Sequence, residues 1–313
     1  MRAALPLLAV LVLASGANAQ QPPPDWQVDL SVPDPDRTRG GANTTIVPRM
    51  AEPAEPVPAD MGQVRLVALL TADGQPIDRG VVWRVFEDHP ADARQLPKIV
   101  GTYKEASPVL KLKPGAYIVN VAFGRAHLTR KISVTGGPTR KEPFVLNAGG
   151  LRLSALIGGK PAPANSVSFE IQTDERDQSG NRATVMSGVK PGLIIRLNAG
   201  IYHVVSAYGD ANAVVRADVT VEAGKLTEAT VAHSAAKVTL KLVTKSGGDA
   251  LPDTQWVLQT PDGVIVKESV GALPTHYLAP GTYTAIAKSQ GRAFRRDFSV
   301  ENGAVTQVEV MMQ

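Results

Sequence analysis

Leu278-Ala279-Pro280-Gly281-Thr282-Tyr283 decides the fold of this chain, because two earlier copies of the stretch precede it. They read Leu112-Lys113-Pro114-Gly115-Ala116-Tyr117 and Leu197-Asn198-Ala199-Gly200-Ile201-Tyr202. Proline presets φ at the second position of a type II turn, and glycine accepts the positive φ of the third. Each tyrosine opens a short alternating run, such as Tyr117-Ile118-Val119-Asn120-Val121, which is typical of a β-strand. The stretch therefore predicts a type II turn between two strands.

The tyrosines of the three copies follow their turns directly. A tyrosine in this place can bury its ring and hydrogen-bond its hydroxyl to nearby backbone, as in the tyrosine corner of β-sandwiches. The second copy has Ala199 in place of proline. We expect the turn to survive there, because Gly200 supplies the residue that is sterically hard to replace.

Three further landmarks recur in the same order: a leucine in an opening strand, a large aromatic in a second strand, and a hairpin glycine. They are Leu66, Leu153 and Leu240; Trp83, Phe169 and Trp256; and Gly124, Gly209 and Gly291. The leucines are 87 residues apart in both steps (153 − 66 and 240 − 153). A fixed period of short strands and glycine turns predicts tandem β-sandwiches, with the aromatics as core anchors.

The predicted fold class is all-β, with three tandem Ig-like or transthyretin-like β-sandwich domains behind a signal peptide and a Pro-rich disordered leader. Arg2, an apolar run and Ala17-Asn18-Ala19 are typical of a secretory signal. Nine prolines among small and charged residues then predict a flexible tether. The predicted boundaries are 1–19 for the signal peptide, 20–60 for the linker, and 61–148, 149–235 and 236–313 for repeats 1, 2 and 3.

The Leu-x-Pro-Gly-x-Tyr turn, the opening strand and the closing strand after a glycine turn resemble one known family over residues 61–313. This is the carboxypeptidase regulatory-like, or transthyretin-like (prealbumin-like), β-sandwich module of bacterial exported proteins. The resemblance implies accessory modules that bind, space or stabilise. Some related surface sandwiches carry a Lys–Asn isopeptide, but repeats 1 and 2 have Arg65 and Arg152 in the first strand. Repeat 3 has Lys241 without a closing-strand asparagine, so we do not expect this cross-link.

The composition excludes several kinds of chemistry. The chain has no cysteine, which excludes disulfides and thiol sites. Its formal net charge of +4 is too mild to indicate nucleic acid as a partner. The five histidines show no metal-ligand spacing. We therefore predict no metal site and no cofactor.

Two groups of polar residues invite a catalytic or metal-binding interpretation. His203 and Ser206 stand near Asp210, but a separation of three puts the histidine and serine on opposite faces of a strand. Asp174, Glu175 and Asp177 form an acidic loop that lacks the alternating ligands of a calcium loop. We assign no catalytic residue, and we favour a solvated hairpin tip for the acidic loop.

Two regions are candidate interaction surfaces. Trp26 lies in an alternating segment of the leader, which predicts either an arm or disorder, or a docking peptide for a partner's sheet edge. The second region is cationic: Arg125, Arg130, Lys131, Arg292, Arg295 and Arg296. Because alternate residues of a strand share one face, Arg130 and Arg296 are expected on the same face as core residues. They lie at a β-bulge, snorkel at the end of the sandwich, or form a face for an anionic polymer or an acidic partner.

We predict an exported, periplasmic or extracellular, non-catalytic β-sandwich repeat protein that acts as an interaction or spacer module in the cell envelope. The expected partner is an envelope protein or an anionic envelope polymer, with no transmembrane segment in the mature chain. Two alternatives stay open. One is an envelope-polymer or carbohydrate-binding module, and the other is an enzyme with a site at a domain junction.

Overall fold

The structure is a computed structural model that describes residues 61–88, 98–163 and 165–313. These residues belong to one compact unit made of strands, turns and bends. No helix within the described ranges is long and apolar enough to cross a membrane. The predicted signal peptide, the Pro-rich linker and Trp26 lie outside the described residues.

Repeat 1 folds into a three-stranded and a four-stranded sheet. Its strands are β1 (Gly62–Leu69), β2 (Val81–Glu87), β3 (Ile99–Tyr103), β4 (Val109–Leu112), β5 (Gly115–Phe123), β6 (Ala126–Val134) and β7 (Gly137–Val145). The orders are β4-β1-β7 and β3-β2-β5-β6. The first strand pairs antiparallel with β4 and parallel with β7, so the chain returns to its starting strand before it leaves the sandwich.

Repeat 2 has the same strand order with one short addition. Its strands are β8 (Ala148–Ile157), β9 (Lys160–Pro161), β10 (Val167–Arg176), β11 (Arg182–Val189), β12 (Ile194–Asn198), β13 (Gly200–Tyr208), β14 (Val214–Val221) and β15 (Leu226–His233). The sheets run β12-β8-β15 and β11-β10-β13-β14, and β9 pairs with β8 as a small hairpin.

Repeat 3 follows the same plan. Its strands are β16 (Ala236–Val243), β17 (Gln255–Gln259), β18 (Ile265–Val270), β19 (Thr275–Leu278), β20 (Gly281–Ser289), β21 (Arg292–Val300) and β22 (Val305–Met311). The sheets run β19-β16-β22 and β18-β17-β20-β21. The all-β sandwich predicted from the repeats is confirmed.

Each repeat encloses its own hydrophobic core between its two sheets. Trp83 and Trp256 are 0% and 1% exposed, and Phe169 is buried at the matching position of repeat 2. The Trp83 ring meets Phe144 of the opposite sheet edge-on, with ring centroids 5.3 Å apart. Both indole N–H groups donate to backbone carbonyls, which satisfies their one polar atom inside the core. The predicted core anchors are confirmed.

The three tyrosine corners are also confirmed. Each hydroxyl donates to the carbonyl four residues earlier: Tyr117 to Lys113 at 3.0 Å, Tyr202 to Asn198 at 2.9 Å and Tyr283 to Ala279 at 2.7 Å. The bond closes the turn between β4 and β5, between β12 and β13 and between β19 and β20. Burial raises the pKa of Tyr117 and of Tyr202 above the usual phenol value, which keeps these donors protonated.

The type II turn predicted for the same stretch is wrong. Gly200 and Gly281 have φ of 157°, far from the value near +80° that a type II turn requires, and Gly115 has a negative φ. Each glycine is the first residue of its strand and pairs with the last valine of the next strand, as Gly281 does with Val300. Antiparallel pairing therefore holds this backbone extended.

Tyr117→Phe should lower the free energy of unfolding of repeat 1 by about 1 kcal/mol, because the Lys113 carbonyl loses its tyrosine donor. Denaturant unfolding followed by circular dichroism measures the loss. The matched control is Tyr103→Phe, since the Tyr103 hydroxyl bonds no other described residue. Equal losses in the two variants would contradict the corner bond.

One polar pair lies inside the core of repeat 2. His233 Nε2 and Ser206 Oγ are 2.7 Å apart, and both side chains are buried. Burial lowers the pKa of His233, and the backbone of Ala213 offsets only part of this effect. The folded state therefore holds a neutral imidazole.

The stability of repeat 2 should decline as the pH falls below about 6.5. In that range the histidine of the unfolded chain binds a proton, whereas buried His233 in the folded chain stays neutral. His233→Gln keeps a hydrogen-bonding side chain for Ser206 but does not titrate, so the decline should flatten. Unfolding free energies between pH 7.5 and 5 test this. The exposed His127→Gln change should leave the wild-type pH dependence in place.

Candidate functional site

The described repeats meet through one recurring contact. The turn between β5 and β6 lies against β12, and the turn between β13 and β14 lies against β19. We call the turn that follows the strand opened by each corner tyrosine (β5, β13 or β20) the junction hairpin. We call the strand before each tyrosine corner the receiving strand, taken as residues 109–113, 194–198 and 275–279. Each contact thus joins a junction hairpin to the receiving strand of the next repeat.

A glycine in each junction hairpin permits the close approach. Gly124 and Gly209 have φ of 66° and 73°, a conformation that other residues rarely adopt. A Cβ on Gly124 would lie 3.0 Å from the Cβ of Arg196, and a Cβ on Gly209 only 2.7 Å from Tyr277. The two contacted residues occupy the same position, directly before the leucine of the repeated stretch.

An aromatic residue precedes each of these glycines and stacks on the same position of the receiving strand. At the first junction the Arg196 guanidinium lies over the Phe123 ring, 4.4 Å from its centroid. At the second junction the rings of Tyr208 and Tyr277 are 4.4 Å apart. Cation–π and ring contacts of this kind are attractive and directional, so they favour one docking geometry.

An asparagine side chain completes the first junction. Asn198 Oδ1 accepts the backbone N–H of His127 at 3.1 Å, and Asn198 Nδ2 donates to the His127 carbonyl at 3.1 Å and to the Leu146 carbonyl at 2.8 Å. The amide group therefore binds the edge of β6 in both directions, as a neighbouring strand would.

At the second junction the asparagine lies on the hairpin side and not on the receiving strand. Asn212 follows its hairpin glycine by three residues, as His127 does, and its Oδ1 accepts the N–H of Ala279 at 3.1 Å. Its Nδ2 donates to the Tyr283 hydroxyl at 2.9 Å. The same tyrosine donates to Ala279, so the tyrosine corner also holds the residue that receives the preceding repeat.

Charge adds to the second junction. Asp210 in the hairpin pairs with Lys267 at 2.9 Å and with His276 Nδ1 at 3.2 Å. Burial alone would raise the pKa of Asp210, but the hydrogen bonds and charges of Lys267 and His276 outweigh it and lower that pKa. The carboxylate therefore stays ionised in the junction and joins the two repeats electrostatically.

Ser269, His276 and Asp210 are connected in the order of a serine–histidine–carboxylate relay. His276 Nε2 lies 2.9 Å from Ser269 Oγ, while its Nδ1 faces Asp210. The imidazole is only 3% exposed, and Ser269 pairs with the buried Trp256 on the inward face of β18. Because the serine points into the sandwich, we interpret this relay as a polar interlock between repeats.

Asn198→Ala should loosen the first junction, because it removes three hydrogen bonds worth about 1 kcal/mol each. The absence of native cysteines permits nitroxide labels on Lys104→Cys and Lys190→Cys. Double electron–electron resonance should give a narrow distance distribution for the wild-type sequence and a broad one for Asn198→Ala. Asn120→Ala, which removes bonds within one sheet, is the control. An unchanged distribution in Asn198→Ala would show that the amide does not set the junction.

The cations predicted as a surface in repeat 1 have partners within the repeat or at its junction. Arg130 binds Glu142 at 3.1 Å and lies 4.2 Å from the centroid of the Phe144 ring, and Lys131 pairs with Asp88. Arg125 lies in the junction hairpin and donates its backbone N–H to Arg196. Arg130 thus lies over a buried ring and pairs with a carboxylate of the opposite sheet.

The cations of repeat 3 are more open. Arg296, at the position matching Arg130, donates to the Glu309 carbonyl across the open edge of the sandwich. Arg295 faces Asp297 at 3.7 Å, and Arg292 lies 5.3 Å from the centroid of the Phe294 ring. Of the predicted cationic set, Arg130 and Arg296 thus close sandwich edges, Arg125 and Arg292 lie at hairpins, and Lys131 and Arg295 face nearby carboxylates.

The remaining polar candidates do not converge. His203 bonds Asp218 at 2.7 Å, whereas Ser206 bonds His233. The prediction that His203 and Ser206 lie on opposite faces of their strand is therefore correct. Asp177 accepts backbone N–H groups within the exposed acidic loop, as a hairpin tip does. No group of histidines and carboxylates within the described ranges is arranged to hold a metal ion.

Sequence reasoning missed the junction role of Asn198, Asn212, Asp210 and Tyr277. It noted the hairpin glycines but assigned them only to turns. The available signal was an aromatic directly before two of the three glycines, Phe123 and Tyr208. An aromatic beside a turn is often exposed, so its recurrence indicates a contact with something outside the repeat.

Comparison with known proteins places one repeat in a described class. Residues 237–312 match the family model of the Rhizobiales growth-associated tandem repeat domain. This range is repeat 3 and covers less than half of the chain. A search of curated proteins finds no match.

Solved structures show distant likeness. The Bacillus anthracis TIE protein is 18% identical with a TM-score of 0.23, over 80% of this chain and 50% of that one. A Streptococcal ancillary pilin is 12% identical with a TM-score of 0.30, over 81% and 100%. GBS52, a minor pilin of Streptococcus agalactiae, is 13% identical with a TM-score of 0.29, over 55% and 95%. This chain thus spans half the length of the TIE protein, and its fold assignment rests on its own strand pairing.

Proposed function

We propose that this chain is an exported, non-catalytic spacer and interaction module of the cell envelope. The observation that carries the proposal is the recurring junction, in which the same positions join each hairpin to the next repeat. A protein that uses stacked rings and hydrogen bonds to fix one sandwich on the next is suited to hold surfaces at set separations.

The short connections support this role. Only residues 146–147 lie between β7 and β8, and only residues 234–235 lie between β15 and β16. Two residues give a connection little freedom, and the junction contacts remove more of it. The relative placement of the repeats therefore follows from contacts between folded surfaces.

The proposal of export rests on the sequence of residues 1–19. The narrower family assignment rests on the Leu-x-Pro-Gly-x-Tyr turn and the strands around it. The charged start, the apolar run and the small residues before position 20 are typical of a cleaved secretory signal. The tyrosine corners and the parallel pairing of first and last strands support modules of the carboxypeptidase regulatory-like, or transthyretin-like, kind. Modules of that kind are accessory.

Cell fractionation tests export. The chain should be recovered outside the cytoplasm with the mass expected for cleavage after Ala19. A variant that lacks residues 1–19 should stay in the cytoplasm and undergo no cleavage. Chemical crosslinking of the exported protein in its own cells should capture an envelope component, with and without residues 20–60 compared side by side.

Each outcome separates the parts of the proposal. Capture that requires residues 20–60 assigns docking to the leader and spacing to the sandwiches. Capture that persists without them assigns docking to the repeats. An uncleaved cytoplasmic protein contradicts export, and no capture in either form contradicts the interaction role.

A further inference from the structure

The outer face of the three-stranded sheet of repeat 1 carries cations that have no carboxylate partner among the described residues. The inward residues of β1, β4 and β7 are buried, among them Leu66 and Phe144. The alternate residues Arg65, Lys111 and Lys141 therefore lie on the other face, and all three are exposed. None of the three forms an ion pair with a described residue.

The first and last strands of each repeat bring one pair of outward positions side by side. In repeat 1 the pair is Arg65 and Lys141, so two like charges stand directly opposite each other. In repeat 2 the pair is Arg152 and Glu228, which form a salt bridge at 2.6 Å. Like charges in this arrangement oppose strand pairing, whereas opposite charges favour it. Repeat 1 is therefore destabilised at a position where repeat 2 is stabilised.

Repeat 3 shows that the fold needs no charge at these positions. Its pair is Thr239 and Gln307, two neutral side chains in the same parallel register. The strand order around the pair is the same in all three repeats. The like charges of repeat 1 thus lower its stability without serving its fold, and residues of this kind are typical of functional surfaces.

Two lysines extend the cations across the sheet. Lys111 pairs with Gln63, which places it diagonally across from Arg65, and Lys113 follows two residues later. Neighbouring cations of the row Lys141, Arg65, Lys111 and Lys113 are spaced on the order of 5–8 Å apart. No acidic residue occurs among the outward positions of the three strands, which are 63, 65, 67, 109, 111, 113, 139, 141 and 143. We call this row the cationic face.

We propose that the cationic face of repeat 1 binds an anionic polymer that carries one phosphate or carboxylate in each repeating unit. The proposal rests on the proposed function and names the envelope component that such a module contacts. A row of evenly spaced cations matches a chain whose own charges recur. Each exposed contact is weak, but several contacts on one polymer act together.

The distribution of charge favours a polymer over a protein partner. Protein interfaces place aromatic or aliphatic anchors at their centre and leave charges at the rim. On this face the central strand presents Arg65, and the nine outward positions include no aromatic residue. Long exposed side chains on an open sheet can follow a flexible polymer, which needs no pocket.

Isothermal titration calorimetry of the purified full-length protein with polyphosphate and with polygalacturonate tests the proposal. The affinity should fall as salt is raised above about 50 mM, with a log–log slope of about −3, because the cations of the row displace counterions from the polymer. Tripolyphosphate is too short to reach the whole row, so it should bind at least about tenfold more weakly than the long polymer.

Substitutions copied from the other repeats identify the face. Lys141→Glu gives repeat 1 the arginine–glutamate pair of repeat 2. It should weaken polymer binding at least about tenfold and also raise the denaturant concentration at which the protein unfolds, because the like charges are gone. Arg65→Thr with Lys141→Gln copies repeat 3 and should weaken binding to a similar extent.

The control places the same charge change on the other sheet. Lys104 is exposed, follows β3 and forms no ion pair with a described residue. Lys104→Glu alters the net charge as Lys141→Glu does, but it should leave the affinity within about twofold of the wild type.

Binding that Lys141→Glu weakens and Lys104→Glu preserves supports the proposal, and the polymer bound more tightly identifies the anion as phosphate or carboxylate. A wild type that binds neither polymer at low salt overturns it. Equal losses in Lys104→Glu and Lys141→Glu also overturn it, since net charge alone would then explain binding. Capture of an acidic envelope protein that Lys141→Glu abolishes, with neither polymer bound, replaces the polymer with a protein. The titrations use purified protein, so they fail or succeed independently of export in cells.

Discussion

The hydrogen bond from each corner tyrosine to the carbonyl four residues earlier is the constraint on which the rest of this structure depends. Within a repeat it closes the turn that joins the two sheets. Between repeats it fixes the residue that receives the preceding hairpin: Tyr202 holds Asn198, and Tyr283 holds Ala279 while it accepts a bond from Asn212. One local bond thus supports both the sandwich and the joint.

The two joints show how one geometry tolerates different side chains. An arginine over phenylalanine and a tyrosine pair occupy the same place, and the asparagine amide comes from the receiving strand in one joint and from the hairpin side in the other. What is common is the approach of a glycine to a strand end. The same approach therefore accommodates different side-chain contacts, as expected for an array whose units interact with their nearest neighbours.

Charge is divided according to this geometry. Arg130 and Arg296 close the open edges of their sandwiches, where a long side chain can reach the opposite sheet and keep its guanidinium near water. Asp210 joins two repeats, and Arg65 and Lys141 lie on the open outer face of repeat 1. The same residue type therefore serves edge closure or an open surface according to the face of the strand on which it lies.

The sequence by itself determined the all-β class, the repeat period, the buried aromatics and the tyrosine corners, because a period of two and a bond over four residues are local properties. Parity also separated His203 from Ser206. The φ of Gly281 depended on pairing with Val300, and the bond from Asn198 to His127 spans 71 residues. Only the tertiary structure decided these, since nothing local states which surfaces meet. The joints and the interlock at His276 arise where folded repeats contact each other.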